Sequence, residues 1–467
     1  MIRKIAIFLF TFLVFQLIIF TAQALEKLTL VDYVGQVLKK SDQALALKDQ
    51  LLFSKLDLDT AQFDYEFQWR PSVNLGLSND IQTQGVGVEV KKKSEFGTEF
   101  FLGTSYNKLE SDFGSSKSPK AYVRIEQGLF RQWGSEMGRL PLTRAELNNQ
   151  RVFWSNIAQK QYLLRRAIQE YFSVLLAKRQ LLLKLDTVKR QQENLAVAES
   201  RYGLDLVSKT DIYRAKLALL SAQDGQKTQQ RALSRNFRSL ANLINQTDIE
   251  VLRINEEVPA FHFVIPLQHL QIAMNYRSDW KLYNIDEKLA KLELSHSQRN
   301  LQPDIKLTLS ADHYFDEYNV GNSNLQDKTD WRISLNYSTP FSLTREKNAL
   351  IGQKLKVARQ QRDKKALNRE IQLELQDARE DIQLAKARFD IAKKRLTQSE
   401  KAVELALLRY QRGLSNNLDL VGAESELQSA QIETLRQQIN LNMVIVDFAA
   451  KLGILDVKWL EATVNKN

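Results

Sequence analysis

The chain has 467 residues, enough for two or three ordinary domains, and a formal net charge of +11. It contains no cysteine, which excludes disulfides, thiolate metal sites, cysteine nucleophiles and acylation at an N-terminal cysteine. Only four histidines occur, none in an HxxH or HExxH pair, and seven prolines and 17 glycines favour long uninterrupted elements.

The first 24 residues are typical of a secretory signal peptide. Arg3 and Lys4 precede a long apolar run that ends at Ala22-Gln23-Ala24, an A-x-A cleavage pattern. A membrane anchor is the alternative, but the small residues and the polar start "LEKLTL" favour cleavage. The mature chain is therefore predicted to be non-cytoplasmic, with a net charge of +9. Its basic residues alternate with Glu and Asp along helices, which indicates a solvated face and not a nucleic-acid site.

The first predicted repeat covers residues 25–258. A helix is followed by alternating strands, "PSVNLGLS" from Pro71 and "AYVRIEQGLF" ending at Phe130. Between them, residues 85–106 contain two further strand-like runs, which are either a surface hairpin or an extension of the strands. The predicted elements are a helix at 30–67, strands within about 71–130, a long helix at 142–202 and a return helix at 208–245.

The second predicted repeat covers residues 259–467 and follows the same order, without a counterpart of residues 85–106. Its strands are "PDIKLTLS" from Pro303 and "WRISLNYSTPF" ending at Phe341. Proline is tolerated at the first residue of a strand because it removes only one donor there. The predicted elements are a helix at 267–300, strands within about 303–341, a long helix at 353–412 and a return helix at 417–452.

The internal repeat is clearest where each long helix ends. "RYGLDLVSKTDIYRAKLALLSAQ" from Arg201 and "RYQRGLSNNLDLVGAESELQSAQ" from Arg409 share nine residues at matching places, at an offset of 208. The long helices themselves contain neither Gly nor Pro, and each would reach about 90 Å. We interpret the chain as two copies of one helix-turn-helix design with a two-fold internal repeat.

The second long helix carries an apolar heptad. Its steps alternate four and three residues, a pattern that predicts coiled-coil packing along one narrow seam. The remaining surface is polar, so the helices are predicted to form a thin layer that must close into a tube or be covered. The seam comprises Ile371, Leu375, Ala378, Ile382, Ala385, Phe389, Ala392, Leu396, Ser399, Val403, Ala406 and Tyr410.

The strands alternate strictly between apolar and polar residues and carry aromatic residues such as Trp331 and Tyr337. This pattern predicts a sheet with one apolar face, either a membrane sheet with aromatic girdles or a soluble hairpin with aromatic pairs. In lipid a sheet must close because an open edge leaves backbone groups unpaired. With two clear strands in each half, a chain supplies four strands, and three copies would supply twelve.

Together these segments resemble the outer-membrane efflux factor family, the TolC-type channel proteins. The resemblance rests on the repeated R-Y-x-x-G motif, the opening "LTLVDYVGQVLKKSDQALALKDQ", the proline-led strands and the C-terminal "DFAAKLGIL". It implies a mainly α fold with a membrane β-barrel part: a homotrimer with a 12-stranded outer-membrane β-barrel, continuous with a long periplasmic α-helical barrel. It also implies a Gram-negative source, no cofactor, a periplasmic adaptor (membrane fusion) protein, and an inner-membrane pump of RND, ABC or MFS type. The function implied is efflux or type I secretion through a passive channel.

The resemblance also implies where the adaptor docks. The matching tip positions are Arg201, Tyr202, Leu206 and Ser208 in the first repeat, and Arg409, Tyr410, Gly413, Leu414 and Asn416 in the second. The sequence departs from the family pattern at Asp205, where a Gly is usual, and at Asn416, where a small hydroxyl residue is usual.

Three residues are gate candidates at the same tips. Three copies of Asp419 would place three carboxylates near the tip, repelling anions and attracting cations. Tyr410 and Asp211 lie on adjacent tip helices, where a hydrogen bond would hold a closed state. The alternatives are a helix N-cap for each Asp and a seam-filling aromatic residue for Tyr410.

Two other functions fit the sequence less well. Catalysis has little support, because the carboxylates at 374, 377, 380 and 381 lie on a solvated helix and no phosphate loop, nucleophile elbow or metal spacing occurs. No enzyme activity and no metal site are therefore predicted. A soluble periplasmic coiled-coil scaffold or adaptor would share the signal peptide and the heptads, but would not need the alternating strands. The sequence does not specify a cargo.

Overall fold

The computed structural model describes residues 28–78, 81–111, 114–203, 208–247, 254–255, 257–315, 318–320, 323–325, 328–412, 414 and 417–464. The helices are α1 Leu30–Lys40, α2 Asp42–Phe63, α3 Ser135–Gly138, α4 Leu140–Tyr202, α5 Lys209–Asn242, α6 His269–Tyr276, α7 Ser278–Arg299, α8 Thr344–Gln411, α9 Asn417–Leu452 and α10 Val457–Val464. The strands are β1 Gln68–Ser78, β2 Ile81–Lys93, β3 Thr98–Ser111, β4 Gly114–Phe130, β5 Asp304–Tyr314, β6 Tyr318–Val320, β7 Ser323–Leu325 and β8 Lys328–Ser338. Within this described part, no helix combines the length and apolarity needed to cross a membrane.

The chain divides into two compact units that differ from the two predicted repeats. The helical unit comprises Met1–Leu47, Ile157–Arg277 and Glu370–Asn467. The sheet unit comprises Lys48–Asn156 and Ser278–Arg369. Each repeat therefore contributes residues to both units, and the long helices α4 and α8 belong partly to each.

The predicted helix at 30–67 is two helices that meet at Ser41. Ser41 is extended, with φ −68° and ψ 143°, which ends α1. Its hydroxyl accepts a hydrogen bond from the Ala44 amide at 3.1 Å and so caps the start of α2. The break comes from a capping serine, and no glycine or proline marks it.

The predicted helix at 267–300 is likewise two helices, which meet at Arg277. Arg277 has φ −65° and ψ 125° and so leaves the helical conformation. Its guanidinium donates to Glu374 at 2.7 Å. Gly453, with φ +79°, approaches the same junction so closely that a Cβ there would lie 2.5 Å from the Tyr276 carbonyl carbon.

Four helices of the helical unit form a layer in the order α5, α4, α9, α8. The amides of Gln229 and Asn236 join α5 to α4 by donating to Ala177 and Ser173 carbonyls at 3.1 Å. Arg165 joins α4 to α9 by donating to Asp447 at 2.5 and 3.0 Å. Thr434 joins α9 to α8. The outer helices of this layer, α5 and α8, have one layer neighbour each.

The buried core of the helical unit lies where α1 packs on the middle of the layer. Tyr33 is fully buried, which raises its pKa, and its hydroxyl donates to the Leu240 carbonyl at 3.1 Å. Burial also raises the pKa of Tyr171 to about 12, and its hydroxyl donates to Leu28 at 3.1 Å. These side chains give α4 a wide buried stripe that includes Leu163, Leu164, Ala167, Ile168, Tyr171, Phe172, Val174 and Leu175.

The predicted heptad of α8 is confirmed by burial. Between Asp377 and Arg409, every described side chain that is not exposed occupies a heptad position. Ile371, Leu375 and Ala378 are almost completely buried. The narrow seam follows from the place of α8 at the edge of the layer, where its one layer neighbour, α9, covers one stripe.

The sheet unit contains a six-stranded antiparallel sheet in the order β1, β2, β3, β4, β5, β8, and β6 pairs with β7 separately. The expectation of four strands in each chain is wrong. Residues 85–106 belong to the β2–β3 hairpin, whose strands lie inside the sheet and pair with their neighbours along 11 to 14 residues. The prediction of a mainly α fold with a β part is confirmed.

Helices of the sheet unit also form a layer, in the order α2, α4, α7, α8. Ser54 on α2 donates to Asn149 on α4 at 2.8 Å. The guanidinium of Arg144 on α4 donates to both carboxylate oxygens of Glu293 on α7, at 2.6 and 2.7 Å. These ion pairs at the helix contacts replace the wide apolar stripe of a globular core.

Candidate functional site

The first candidate region is the tip formed by the end of α4 and the start of α5. Tyr202 is the last residue of α4 and its side chain is exposed. The Gly203 amide donates to the Glu199 carbonyl at 3.1 Å, which continues the helical pattern by one residue. Ser208 is exposed and directly precedes α5. The predicted docking residue Leu206 lies outside the described residues, and Arg201 is described by its backbone in α4.

The second tip is formed by the end of α8 and the start of α9. The Leu414 amide donates to the Arg409 carbonyl at 2.9 Å, a six-residue closure typical of a Schellman helix end. The Leu414 side chain is 72% exposed, and Arg409 is exposed as well. The predicted tip residues Gly413 and Asn416 lie outside the described residues, and Tyr410 is described by its backbone in α8.

The gate candidates Asp211 and Asp419 occupy equivalent places in the two return helices. Each is the third residue of its helix, α5 or α9. Neither therefore occupies the N-cap position, which directly precedes the first residue of the helix. A carboxylate in the first turn is favoured by the helix dipole, whatever further role it has. The Asp419 side chain is exposed. The predicted hydrogen bond between Tyr410 and Asp211 rests on side chains outside the described part of the chain.

Contacts near the tips join the two helical hairpins of one chain. Gln428 on α9 donates to the Thr187 hydroxyl at 2.6 Å and to the Leu183 carbonyl at 3.0 Å, both on α4. Arg190 Nε on α4 lies 3.5 Å from Glu424 Oε2 on α9. Burial raises the pKa of the Glu424 carboxyl, and the Arg190 charge offsets only part of this effect. Sequence reasoning missed these residues, because polar side chains on a mostly polar helix carry no periodic signal.

The second candidate region is the polar face of the six-stranded sheet. Directly opposite residues on adjacent strands share a face, and alternate residues continue it. One row runs from Arg70 through Glu89, Gly103, Tyr122 and Asp312 to Asp330. The charged residues of this face are Arg70, Lys91, Lys93, Lys120, Arg124, Lys306, Lys328 and Arg332, together with Glu89, Glu99, Glu126, Asp304, Asp312 and Asp330.

Ion pairs and hydrogen bonds connect this polar face across the strands. The Tyr122 hydroxyl donates to Glu89 at 2.9 Å, crossing β3 over Gly103. A Cβ on Gly103 would lie 2.6 Å from the Tyr122 ring, so only glycine permits this crossing. Further pairs between strands are Lys91 with Glu99 at 2.9 Å, Lys120 with Asp312 at 3.2 Å, and Lys306 with Glu126. Arg124 also pairs with Glu126 within β4, at 3.2 Å.

One aromatic side chain is held among these charges. Phe101 on β3 is 6% exposed. The Arg124 guanidinium lies 4.2 Å from its ring centroid and the Lys91 ammonium 5.3 Å from it, which are cation–π distances. The polar face is therefore a connected surface in which β2 and β3 take part through Glu89, Lys91, Glu99 and Phe101.

The opposite face of the sheet is apolar and exposed. A row of directly opposite residues runs from Trp69 through Val90, Leu102, Val123 and Ala311 to Trp331. Leu75 and Trp331, on the two edge strands, are each 76% exposed. An apolar surface that spans six strands is far larger than the scattered apolar residues of an ordinary water-facing surface.

Among the described residues, no group of three or more His, Asp or Glu side chains is placed to hold a metal ion. Several charges of the polar face are paired with one another, as in Lys91 with Glu99 and Lys120 with Asp312. The arrangement provides a two-faced sheet and an edge-exposed helical layer.

No protein-family model matches the chain, and no curated protein sequence matches it. Several solved structures, however, match the chain over most of its length. The chain is 15% identical to the outer membrane protein VceC of Vibrio cholerae, with a TM-score of 0.67 over 91% of this chain and 96% of that one. It is 18% identical to the MtrE outer membrane channel of Neisseria gonorrhoeae in its open state, with a TM-score of 0.65 over 91% and 89%. It is 13% identical to the CmeC outer membrane channel of Campylobacter jejuni, with a TM-score of 0.67 over 93% and 89%. Over nearly its whole length, the chain has the fold of these outer-membrane channel proteins.

Proposed function

We propose that the chain is a passive exit duct in the outer membrane of a Gram-negative bacterium. It would act as a homotrimer in a tripartite efflux or type I secretion system. Its partners would be a periplasmic adaptor protein and an inner-membrane pump, and the pump would choose the cargo. The fold shared with VceC, MtrE and CmeC supports this proposal, since all three are outer-membrane proteins.

The observation that carries the proposal is the two-faced sheet. One face is apolar from Trp69 to Trp331, and the other carries charges joined by ion pairs. In water the apolar face would be a large uncovered hydrophobic surface. In a membrane barrel the same alternation faces lipid on one side and a water-filled interior on the other.

The helical layers support the trimer. In the helical unit the outer helices α5 and α8 have one layer neighbour each, and exposed apolar side chains such as Leu217 and Ile391 remain on them. Further copies of the chain would cover these edges and close the layer into a tube. The twelve-stranded barrel expected from the sequence rested on four strands in each chain, whereas the sheet has six.

The tips would form the gate and the docking surface for the adaptor. We assign docking to Arg201, Tyr202, Leu206 and Ser208 of the first tip, and to Arg409, Tyr410, Gly413, Leu414 and Asn416 of the second. Exposure of Tyr202, Ser208, Arg409 and Leu414 is consistent with contact to another protein. Asp211, Tyr410 and Asp419 are assigned to the gate.

Purification and planar-bilayer recording test the proposal directly. The protein should fractionate with the outer membrane, run as a heat-labile trimer in detergent and give discrete single-channel currents. A monomeric protein that needs no detergent and forms no pore would instead support the alternative of a soluble periplasmic scaffold.

The adaptor contact is tested in cells with a photo-crosslinking residue at Leu414 or Ser208. A matched control residue at Gln82, on the sheet, should give no adaptor crosslink.

A further inference from the structure

We infer that three copies of this chain close an eighteen-stranded barrel, in which β8 of each copy pairs with β1 of the next. The inference rests on the proposed membrane function and deepens it by naming the contact between copies and the strand number. The partner surface is thus the two free edges of the six-stranded sheet.

The two edges have matching directions. All five pairings inside the sheet are antiparallel, and six strands are an even number. Strand β8 therefore runs opposite to β1, and side by side they form another antiparallel pair. An even, wholly antiparallel strand number is the rule for bacterial membrane barrels, and eighteen lies within their range. An open edge in lipid would leave a row of backbone groups unpaired.

The two edges also match in length and in their faces. Strands β1 and β8 have 11 residues each. When the two strands are aligned over their full length, Gln68 lies opposite Ser338 and Ser78 lies opposite Lys328 of the neighbouring copy. We call this alignment the flush register. This register places Trp69 opposite Tyr337, Val73 opposite Ile333, and Leu75 opposite Trp331. It also places Ser72 opposite Ser334 on the polar face. A slip by one residue would set apolar side chains against polar ones along the whole edge.

The flush register gives a barrel with an ordinary strand tilt. A row of directly opposite residues that begins at Ser72 passes through Gly87, Ser105, Lys120 and Tyr314 to Lys328. The flush partner of Lys328 is Ser78 of the next copy, six positions further along β1. Over three copies the stagger is eighteen residues, equal to the strand number. Barrels with equal stagger and strand number tilt their strands by about 36°, inside the usual range of membrane barrels.

Strands β2 and β3 would be part of the barrel wall. They carry the apolar row through Val90 and Leu102, and the polar face through Glu89 and Phe101, without interruption. The Tyr122–Glu89 hydrogen bond ties β4 to β2 across β3 at 2.9 Å. A surface hairpin outside the barrel would not need both faces in register with β1 and β4.

Disulfide crosslinking tests the pairing of the edges, and the absence of cysteine gives a clean background. Opposite residues of antiparallel strands have Cα atoms about 4.5–5.5 Å apart, within disulfide reach. We expect the variant Ser72→Cys with Ser334→Cys to give covalent dimers and trimers on a non-reducing denaturing gel, which reduction returns to monomers. Each single variant should stay monomeric. The mismatched pair Ser72→Cys with Ile333→Cys, on opposite faces, should stay monomeric as well.

Other crosslinking outcomes are equally informative. Crosslinking of Ser72→Cys with Arg332→Cys or Asn336→Cys, in place of Ser334→Cys, would support the pairing of the edges and overturn the flush register. A disulfide that forms only within one chain would overturn the inference, because it would mean that a single sheet closes on itself. No crosslink in any same-face pair would overturn it too.

Solvent access tests whether β3 is part of the wall. A membrane-impermeant maleimide should label Asn107→Cys, on the polar face, and spare Leu102→Cys, which a lipophilic maleimide should reach. Equal labelling of both positions by the impermeant reagent would overturn the inference.

Strand counting by electron cryo-microscopy is decisive: eighteen strands are expected. A conducting outer-membrane trimer with twelve strands would overturn this inference and leave the proposed function standing. A protein that neither enters the membrane nor conducts would overturn the proposed function itself.

Discussion

Glu287 on α7 accepts a hydrogen bond from Lys364 on α8 at 2.7 Å, and this contact joins two helices of the sheet unit. A second lysine, Lys291, donates to the other carboxylate oxygen at 2.7 Å. These two lysines lower the pKa of Glu287 to about 2. The carboxylate is thus held ionised between two cations at a helix contact.

This arrangement predicts a specific dependence of stability on pH. Because the pKa of Glu287 is lower in the folded protein, its stabilisation is complete above the ordinary glutamate value and is lost as pH falls from about 4.5 to about 2. We expect Glu287→Gln to cost about 1 kcal/mol at pH 7, and the difference from the wild type to vanish near pH 2. Thermal unfolding in detergent, followed by circular dichroism across this range, measures it. Glu404→Gln, at an exposed position of α8, is the control and should change little at any pH.

The membrane proposal predicts opposite tolerance for charge at two adjacent residues of β1. Leu75 belongs to the apolar face and Asn74 to the polar face. Arginine on the lipid face of a barrel costs about 2–4 kcal/mol near the membrane midplane. Leu75→Arg should therefore reduce the amount of heat-labile trimer in the outer membrane several-fold, whereas Asn74→Arg should leave it near the wild-type level. Equal effects of the two variants would contradict a lipid-facing apolar surface.

The gate proposal predicts that Asp419 acts through its charge. Asp419→Asn keeps a side chain that can serve the start of α9 and removes the carboxylate. We expect single channels of this variant to lose part of their preference for cations, and Tyr410→Phe to raise the resting leak. Conductance and reversal potentials in asymmetric salt measure both effects. Unchanged selectivity and leak would show that these residues only support the helix ends.

Contacts between the hairpins predict a second way to open the tips. Gln428 and Arg190 hold α9 to α4. Gln428→Ala with Arg190→Gln removes both contacts, so the resting conductance should rise. The matched control is Arg395→Gln, which removes an ion pair of 2.6 Å between α8 and α9 inside one hairpin. An equal rise in the control would mean that general loosening, and not the contact between hairpins, sets the leak.

Two glycines of the helical unit should respond in opposite directions to alanine. Gly453 has φ +79°, and a Cβ there would lie 2.5 Å from the Tyr276 backbone, so Gly453→Ala should destabilise the protein strongly. Gly422 lies within α9 and has open space around it, so Gly422→Ala should add about 0.5–1 kcal/mol. Thermal unfolding of the two variants side by side checks this prediction. Similar changes would contradict the close approach at the junction of α6 and α7.

The long helices and the heptad were predictable because they depend on local periodicity. The buried seam of α8 follows the residues from Ile371 onward that the sequence selects. The breaks at Ser41 and Arg277 were not predictable in the same way. They depend on a serine side chain that caps a neighbouring turn and on the backbone of Gly453, which is distant in sequence.

The strand number was missed for a different physical reason. Residues 85–106 were predicted to be strand-like, but they have no counterpart in the second repeat, so the sequence left open whether they form a surface hairpin or extend the strands. In the sheet, Gly103 makes room for the Tyr122 ring, a requirement that only the partner strand reveals. At the tips the sequence supplied the candidate residues, and several of them lie outside the described part of the chain.

The polar face of the sheet carries eight basic side chains and six acidic ones along its described strands. If that face lines the interior of the barrel, the excess of basic over acidic side chains creates a positive potential. This potential would enrich chloride and negatively charged solutes beside the barrel wall. At molar ionic strength the Debye length shrinks to about 3 Å, and this enrichment would disappear. The last stretch of the pathway would therefore act as a salt-sensitive anion exchanger, even without any affinity for a particular molecule.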